Sequence, residues 1–201
     1  MKILDILERN SIVSELQGTS KRQVLEELID ALITNKRNLD RDRLMAVLLE
    51  RERLGSTGIG DGIAIPHGKL KDLDQLALSF GRSTKGVDFE SMDGKPVHLF
   101  FLLVAPENCA GIHLRALAKI ARFLKNTSVR KRLGNVASRD DIYAFIQQDF
   151  NRHDMGGNAA LHITRTPAVN LAILYSTAPR VAFPVSHRLG AYYVGVSIEK
   201  E

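Results

Sequence analysis

The residues with most to offer chemically lie in one stretch, Gly55-Ser56-Thr57-Gly58-Ile59-Gly60-Asp61-Gly62-Ile63-Ala64-Ile65-Pro66-His67-Gly68. Its glycines let backbone N–H groups approach an anion closely, and it runs into a short apolar segment that ends on a histidine. A neutral imidazole has a nucleophilic nitrogen near physiological pH, and its other nitrogen can donate a bond that fixes the tautomer. His67 is therefore a candidate phosphoryl acceptor. Pro66 stiffens the backbone before it, and Gly68 leaves room beside it. From spacing alone, Pro66-His67-Gly68 reads equally as a turn at the end of a strand.

Other groups could converge on the same anion. Arg51 and Arg53 end a helical segment just before the loop, and a guanidinium fork bonds two phosphate oxygens while staying charged. The same arginines also suit a solvated helix terminus, where they offset the negative end of the dipole. Ser56 and Thr57 can donate hydroxyls to the anion or simply begin the turn. His113 falls at the start of a later helix, where free N–H groups favour an anion. Leu117, Ile120 and Leu124 continue its stripe, so a packed, hydrogen-bonded core histidine is the alternative. His98, at the entrance of a buried strand, reads as structural. Gly58-Ile59-Gly60-Asp61-Gly62 does not match the dinucleotide fingerprint, and no G-x-x-x-x-G-K-[ST] occurs. A phosphate handled here should arrive already activated on a partner.

The elements that must hold these residues are legible in part. Ser20-Lys21-Arg22-Gln23 has capping-box spacing, and Val24, Leu25, Leu28, Ile29, Leu32 and Ile33 follow at helical period. Asp40 can cap a second helix with Leu44, Val47 and Leu48 in its stripe, and Gly55 can end it. Short β-like runs at Ile63–Ile65 and Leu76–Phe80 precede Val97–Ala105, a continuous apolar run expected of a strand buried on both faces. A third helix covers about Ala110–Lys125, and Ser138-Arg139-Asp140-Asp141 starts a fourth that reaches about Gln148. The pattern predicts an α/β protein of the α+β type, with helices on both sides of a sheet, over residues 1–150. Beyond Phe150 the composition changes. Asn151–Asn158 is polar, and runs such as Val169–Tyr175 and Tyr192–Ile198 alternate with Pro and Gly. Residues 151–201 are expected to form a β-rich C-terminal extension, whether a partner-binding addition, an oligomerisation strand set or the product of an altered reading frame.

Composition narrows the class. The chain has 201 residues, 44% of them hydrophobic, enough for a substantial core. Asp5 and Glu8 interrupt the place where a signal peptide would be apolar, and no run reaches the roughly 18 apolar residues of a membrane span. A single cysteine, Cys109, excludes an internal disulfide, so a cytoplasmic location with no membrane insertion is expected. The formal charge is +5, but Lys and Arg are interleaved with Asp and Glu, and Trp is absent. That favours an acidic protein partner, or no charge-selected partner, over nucleic acid.

The run from Arg51 to Leu70 resembles the signature of EIIA domains of the fructose/mannitol class (type 2) of the phosphoenolpyruvate-dependent phosphotransferase system, most closely its nitrogen-regulatory branch. Val104-Ala105-Pro106-Glu107-Asn108, Gly111-Ile112-His113-Leu114 and Leu117-Ala118-Lys119-Ile120-Ala121 match the same pattern, so the resemblance spans about 1–150. It implies a mixed β-sheet flanked by helices. It implies that His67 accepts a phosphoryl group from the phosphohistidine of an HPr-like carrier, that His113 is the second active-site histidine, and that Arg51 is the site arginine. Positioning and charge neutralisation would carry the transfer, with no cofactor, metal or nucleotide needed. With no EIIB or EIIC segment present, the expectation is a free-standing regulator read by kinases or potassium transport proteins. The alternatives are a relay passing phosphate to an EIIB partner for carbohydrate uptake and a non-catalytic basic binding protein.

Overall fold

The computed structural model describes residues 5–34, 39–71 and 73–155, with side chains to 150. The elements run β1 (Leu7–Val13), α1 (Lys21–Ile33), α2 (Arg41–Arg53), β2 (Gly58–Gly60), β3 (Ile63–Ala64), β4 (His67–Leu70), β5 (Ala77–Val87), β6 (Val97–Pro106), α3 (Ala110–Lys125), α4 (Thr127–Asn135) and α5 (Arg139–Met155). Of the expected β-rich extension, residues 151–155 continue α5, and the rest, with Val169–Tyr175 and Tyr192–Ile198, lies outside the described residues.

One six-stranded mixed sheet has the order β1-β5-β6-β3-β2, with β4 also pairing β6. β6 pairs antiparallel with β5 and parallel with both β3 and β4, and β1 runs parallel to β5. Alternate residues of β6 feed two cores, as the strand period requires. Leu99, Phe101, Leu103 and Ala105 join Leu117, Ile120, Phe123, Ile142 and Ile146 of the C-terminal helices. Phe100, Leu102 and Val104 join Leu25, Leu28, Leu44 and Leu48 of α1 and α2. The sheet therefore carries helices on both faces, α1 and α2 on one and α3 to α5 on the other.

The caps behave as their residue types require. Ser20 accepts from Gln23 N–H while the Gln23 side chain accepts from the Ser20 N–H, closing a capping box. Asp40 accepts from the N–H groups of Asp42 and Arg43, each at 3.0 Å. α2 stops at Arg53, and Gly55, at φ 140, turns the chain out of it. Several elements differ from the sequence expectation, among them β2 and β4, short strands that the glycine-rich stretch did not announce. β1 is a strand despite Glu8-Arg9-Asn10, and β5 continues past Phe80 to Val87 across an irregular register. α4 intervenes before the last helix, and α5 runs beyond Gln148 to Met155.

Candidate functional site

The last turn of α2 delivers two buried charges side by side. Leu48 and Met45 lie one and two turns before Glu52 on the inward stripe, and Arg51 flanks it, so Arg51 and Glu52 enter the protein at 3% and 9% exposure. α2 comes close to β4 because Gly68 has no side chain. A Cβ there would stand 2.7 Å from Val47 Cγ1. This packing brings Arg51 to His67.

His67 is 1% exposed and has both ring nitrogens engaged. Its Nδ1 lies 2.8 Å from the Ile65 carbonyl, which can only accept, so Nδ1 carries the proton. Its Nε2 then accepts from Arg51 Nε at 3.1 Å. Arg51 Nη1 donates to the Gly55 carbonyl at 2.9 Å, which fixes the plane of the guanidinium. Burial pushes the His67 pKa down to about 3; the Ile65 carbonyl opposes this, and the charge on Arg51 adds to it. Burial also lowers the Arg51 pKa, with Glu52 opposing.

His113, one turn into α3, faces His67 with ring centroids 5.5 Å apart and planes inclined at 58°. Its pKa is pushed down to about 4 by burial and then by the charge on Lys69. Both imidazoles are therefore neutral at physiological pH. Among the described residues, His113 Nε2 is buried without a hydrogen-bond partner, which a packed, satisfied core histidine would not show. Lys69 lies two residues along β4 from His67, on the same side of the strand.

Residues 5–149 match the family model for the EIIA 2 component of the phosphoenolpyruvate-dependent sugar phosphotransferase system. The chain belongs to this EIIA 2 family. Membership makes it a phosphoacceptor of that system. It is 45% identical over 140 residues to a nitrogen regulatory protein of Bradyrhizobium diazoefficiens, covering 70% of this chain and 90% of that one. It is 38% identical over 154 residues to the fructose-specific EIIABC component of Bacillus subtilis, covering 77% of this chain but 24% of that protein. The crystal structure of nitrogen regulatory protein IIA-Ntr from Neisseria meningitidis superposes with a TM-score of 0.67 at 37% identity, covering 72% of this chain and 98% of that one. The mixed α/β fold is thus shared with solved EIIA proteins.

In this EIIA 2 chain the fold brings together Arg51, His67 and His113. Ser56 and Thr57 lie in the loop beside them, but their hydroxyl hydrogens serve the loop itself. Ser56 donates to the Phe89 carbonyl at 2.9 Å, and Thr57 donates to the Glu52 carboxylate. Arg53 stays apart, 79% exposed and paired with Glu50. His98 bonds the Ser83 carbonyl through Nδ1 at 2.9 Å, in keeping with a structural role. Sequence reading passed over Glu52 and Lys69. Glu52 was hidden in the charge-rich run Glu50-Arg51-Glu52-Arg53, although its helical phase with Met45 and Leu48 points inward.

Among the described residues, no helix is long and apolar enough to cross a membrane.

Proposed function

We propose that this chain is a regulatory phosphoacceptor of a phosphoenolpyruvate-dependent phosphotransferase system, phosphorylated on His67 Nε2 by the phosphohistidine of an HPr-like carrier. The observation that carries the reading is the fixed tautomer. With Nδ1–H held on the Ile65 carbonyl, the lone pair of a neutral imidazole sits on Nε2, facing a guanidinium.

The transfer balances without an added acid or base. The Nε2 lone pair forms the new P–N bond as the P–N bond on the carrier breaks, and the electron pair of that bond returns to the carrier imidazole. The proton stays on Nδ1, still donated to the Ile65 carbonyl, so the phosphorylated ring is an imidazolium and the carrier ring, protonated on its other nitrogen, leaves as a neutral imidazole. Nε2 is free to attack only when Arg51 Nε leaves it, and the natural destination of that N–H is a phosphoryl oxygen. His113 completes the cradle. In its Nε2–H tautomer the unpartnered nitrogen donates to another oxygen, which supplies the bond it lacks. Ser56 and Thr57 contribute by holding the loop that anchors Arg51.

Regulation follows from charge. A phosphoryl group brings close to two negative charges into a site whose imidazoles are neutral, so partners such as kinases or potassium transport proteins can discriminate the two forms. The regulatory reading is supported by the near full-length match to a nitrogen regulatory protein. Relay to an EIIB partner for carbohydrate uptake is the second reading, favoured by the similarity to a fructose-specific EIIABC component.

The test is incubation of the full chain with phosphoenolpyruvate, Enzyme I and the HPr-like carrier. Acid-labile phosphate is expected on wild type and not on His67→Ala; wild-type uptake by His67→Ala removes the assignment. Adding EIIB candidates then separates the two readings, because a relay loses its label to them and a regulator keeps it.

A further inference from the structure

Glu52 is a buried carboxylate one residue from Arg51, and its bonds run to the loop and to α1. Its oxygens accept the Thr57 N–H at 3.3 and 3.2 Å, the Thr57 hydroxyl, and the Lys21 ammonium at 3.1 Å. The pair is shielded, with side-chain exposures of 16% for Lys21 and 5% for Glu52. Lys21 is the first residue of α1, also bonds Glu90 at 2.8 Å, and lies 5.0 Å from the centre of the Phe89 ring. Phe89 in turn accepts the Ser56 hydroxyl through its carbonyl at 2.9 Å. These contacts clamp both sides of the segment that contains Gly55, whose carbonyl holds the Arg51 guanidinium.

We infer that Glu52, held by Lys21, is a positioning residue for phosphoryl transfer: it fixes the Gly55–Thr57 loop and through it aims Arg51 Nε at His67 Nε2. The inference rests on His67 being the phosphoacceptor. A buried ion pair is a costly way to join α1 to α2, because packed apolar side chains of similar volume would do so without desolvating two charges. What apolar side chains would not do is bond the Thr57 N–H and hydroxyl, or place a negative charge beside a buried guanidinium. That charge opposes the effect of burial on Arg51 and helps keep it cationic. Arg51 and Glu52 thus divide the work of one helix end. Arg51 touches the acceptor, and Glu52 holds what Arg51 leans on.

The test uses the full ¹⁵N-labelled chain and three variants, Glu52→Gln, Glu52→Asp and Lys21→Met. Two quantities are read: exchange of the Arg51 Nε–H with water together with the His67 Nε2 shift, and kcat and KM for phosphorylation by the HPr-like carrier. In Glu52→Gln we expect Arg51 Nε–H exchange to accelerate at least about tenfold and kcat to fall about 10- to 100-fold, with KM for the carrier changing by less than about twofold. Glu52→Asp should recover part of kcat, and Lys21→Met should shift both readouts in the same direction by less. If Glu52→Gln fails to fold, the other two variants decide. An unchanged kcat in the folded variants, with wild type phosphorylated normally, overturns the assignment of Glu52. A wild-type chain that takes up no phosphoryl group overturns the phosphoacceptor reading instead, and Arg51 exchange still shows whether Glu52 holds the guanidinium.

Discussion

Two helix ends meet at His67, and they are built in opposite ways. The C-terminus of α2 brings two charged side chains whose bonds are well occupied: Arg51 on Gly55 and His67, Glu52 on Thr57 and Lys21. The N-terminus of α3 brings His113, neutral and buried with an unpartnered Nε2, behind a Cys109 cap that makes no side-chain hydrogen bond. One side is set before any donor arrives; the other has spare bonding capacity. An incoming group therefore belongs between the two ends, aimed by the first and bonded by the second. Preorganised charge costs no rearrangement at the moment of reaction, whereas an unpartnered polar atom gains most from a new partner.

Breaking the comparison at its centre has the largest effect. His67→Ala should abolish acid-labile phosphorylation, measured by retention of label from phosphoenolpyruvate. On the preorganised side, Arg51→Ala should slow transfer by about 10²- to 10³-fold, in line with loss of one aimed donor, while circular dichroism stays native. An unchanged rate would reduce Arg51 to a helix-end charge. Arg51→Lys should recover only part of the rate, because a point charge cannot donate to Gly55 and to the site in one plane.

The approach of α2 can be tested apart from the chemistry. Gly68→Ala places a methyl group 2.7 Å from Val47 Cγ1, so denaturant unfolding should show a loss of about 1–3 kcal/mol, with slower transfer because Arg51 moves with the helix. On the α3 side, His113→Gln should slow transfer by about tenfold with little loss of stability, since Nε2 gives up no native bond. A large fall in stability with normal transfer would favour a purely packed histidine.

The pH dependence of stability tests the electrostatics of both sides without touching the transfer rate. Both histidines have folded pKa values below the ordinary value of 6.5, about 3 for His67 and about 4 for His113. Between those values and 6.5 the unfolded chain binds more protons, so their contribution is complete above about pH 6.5 and lost as pH falls. Denaturant titrations between pH 6 and 4 should lose up to about 1.4 kcal/mol per pH unit for each histidine. His113→Gln should remove its share of that slope.

The legible elements are those whose stability is written locally. α1 and α2 announced themselves by caps and apolar period, α3 by a stripe running from His113 to Leu124, and β6 by an unbroken apolar run. α4 was not legible because its nine residues bury only Val129 and Leu133. Its C-terminal carbonyls are held from a distant strand. Arg82 Nη1 donates to the Leu133, Gly134 and Val136 carbonyls from β5. β1 was not legible because Glu8, Arg9 and Asn10 are exposed, and its strand character comes from pairing with β5. In the site, His67 and Arg51 were legible as candidates from the loop and the helix end. Glu52 was not, because its role depends on Lys21, far away along the chain.

By itself, the sequence determined the chemistry on offer: an imidazole after a glycine-rich loop, guanidinium groups before it, a second histidine later, and a family signature joining them. Which of these meet was settled by packing. Arg51 and Arg53 are equivalent by type, yet helical phase buries the first and exposes the second. His67, His98 and His113 are equally imidazoles, yet the sheet sets His67 and His113 together and leaves His98 on Ser83. Residue type fixes what an atom can donate or accept, whereas reach is set by packing. A missing Cβ at Gly68 is what lets α2 come close enough to matter.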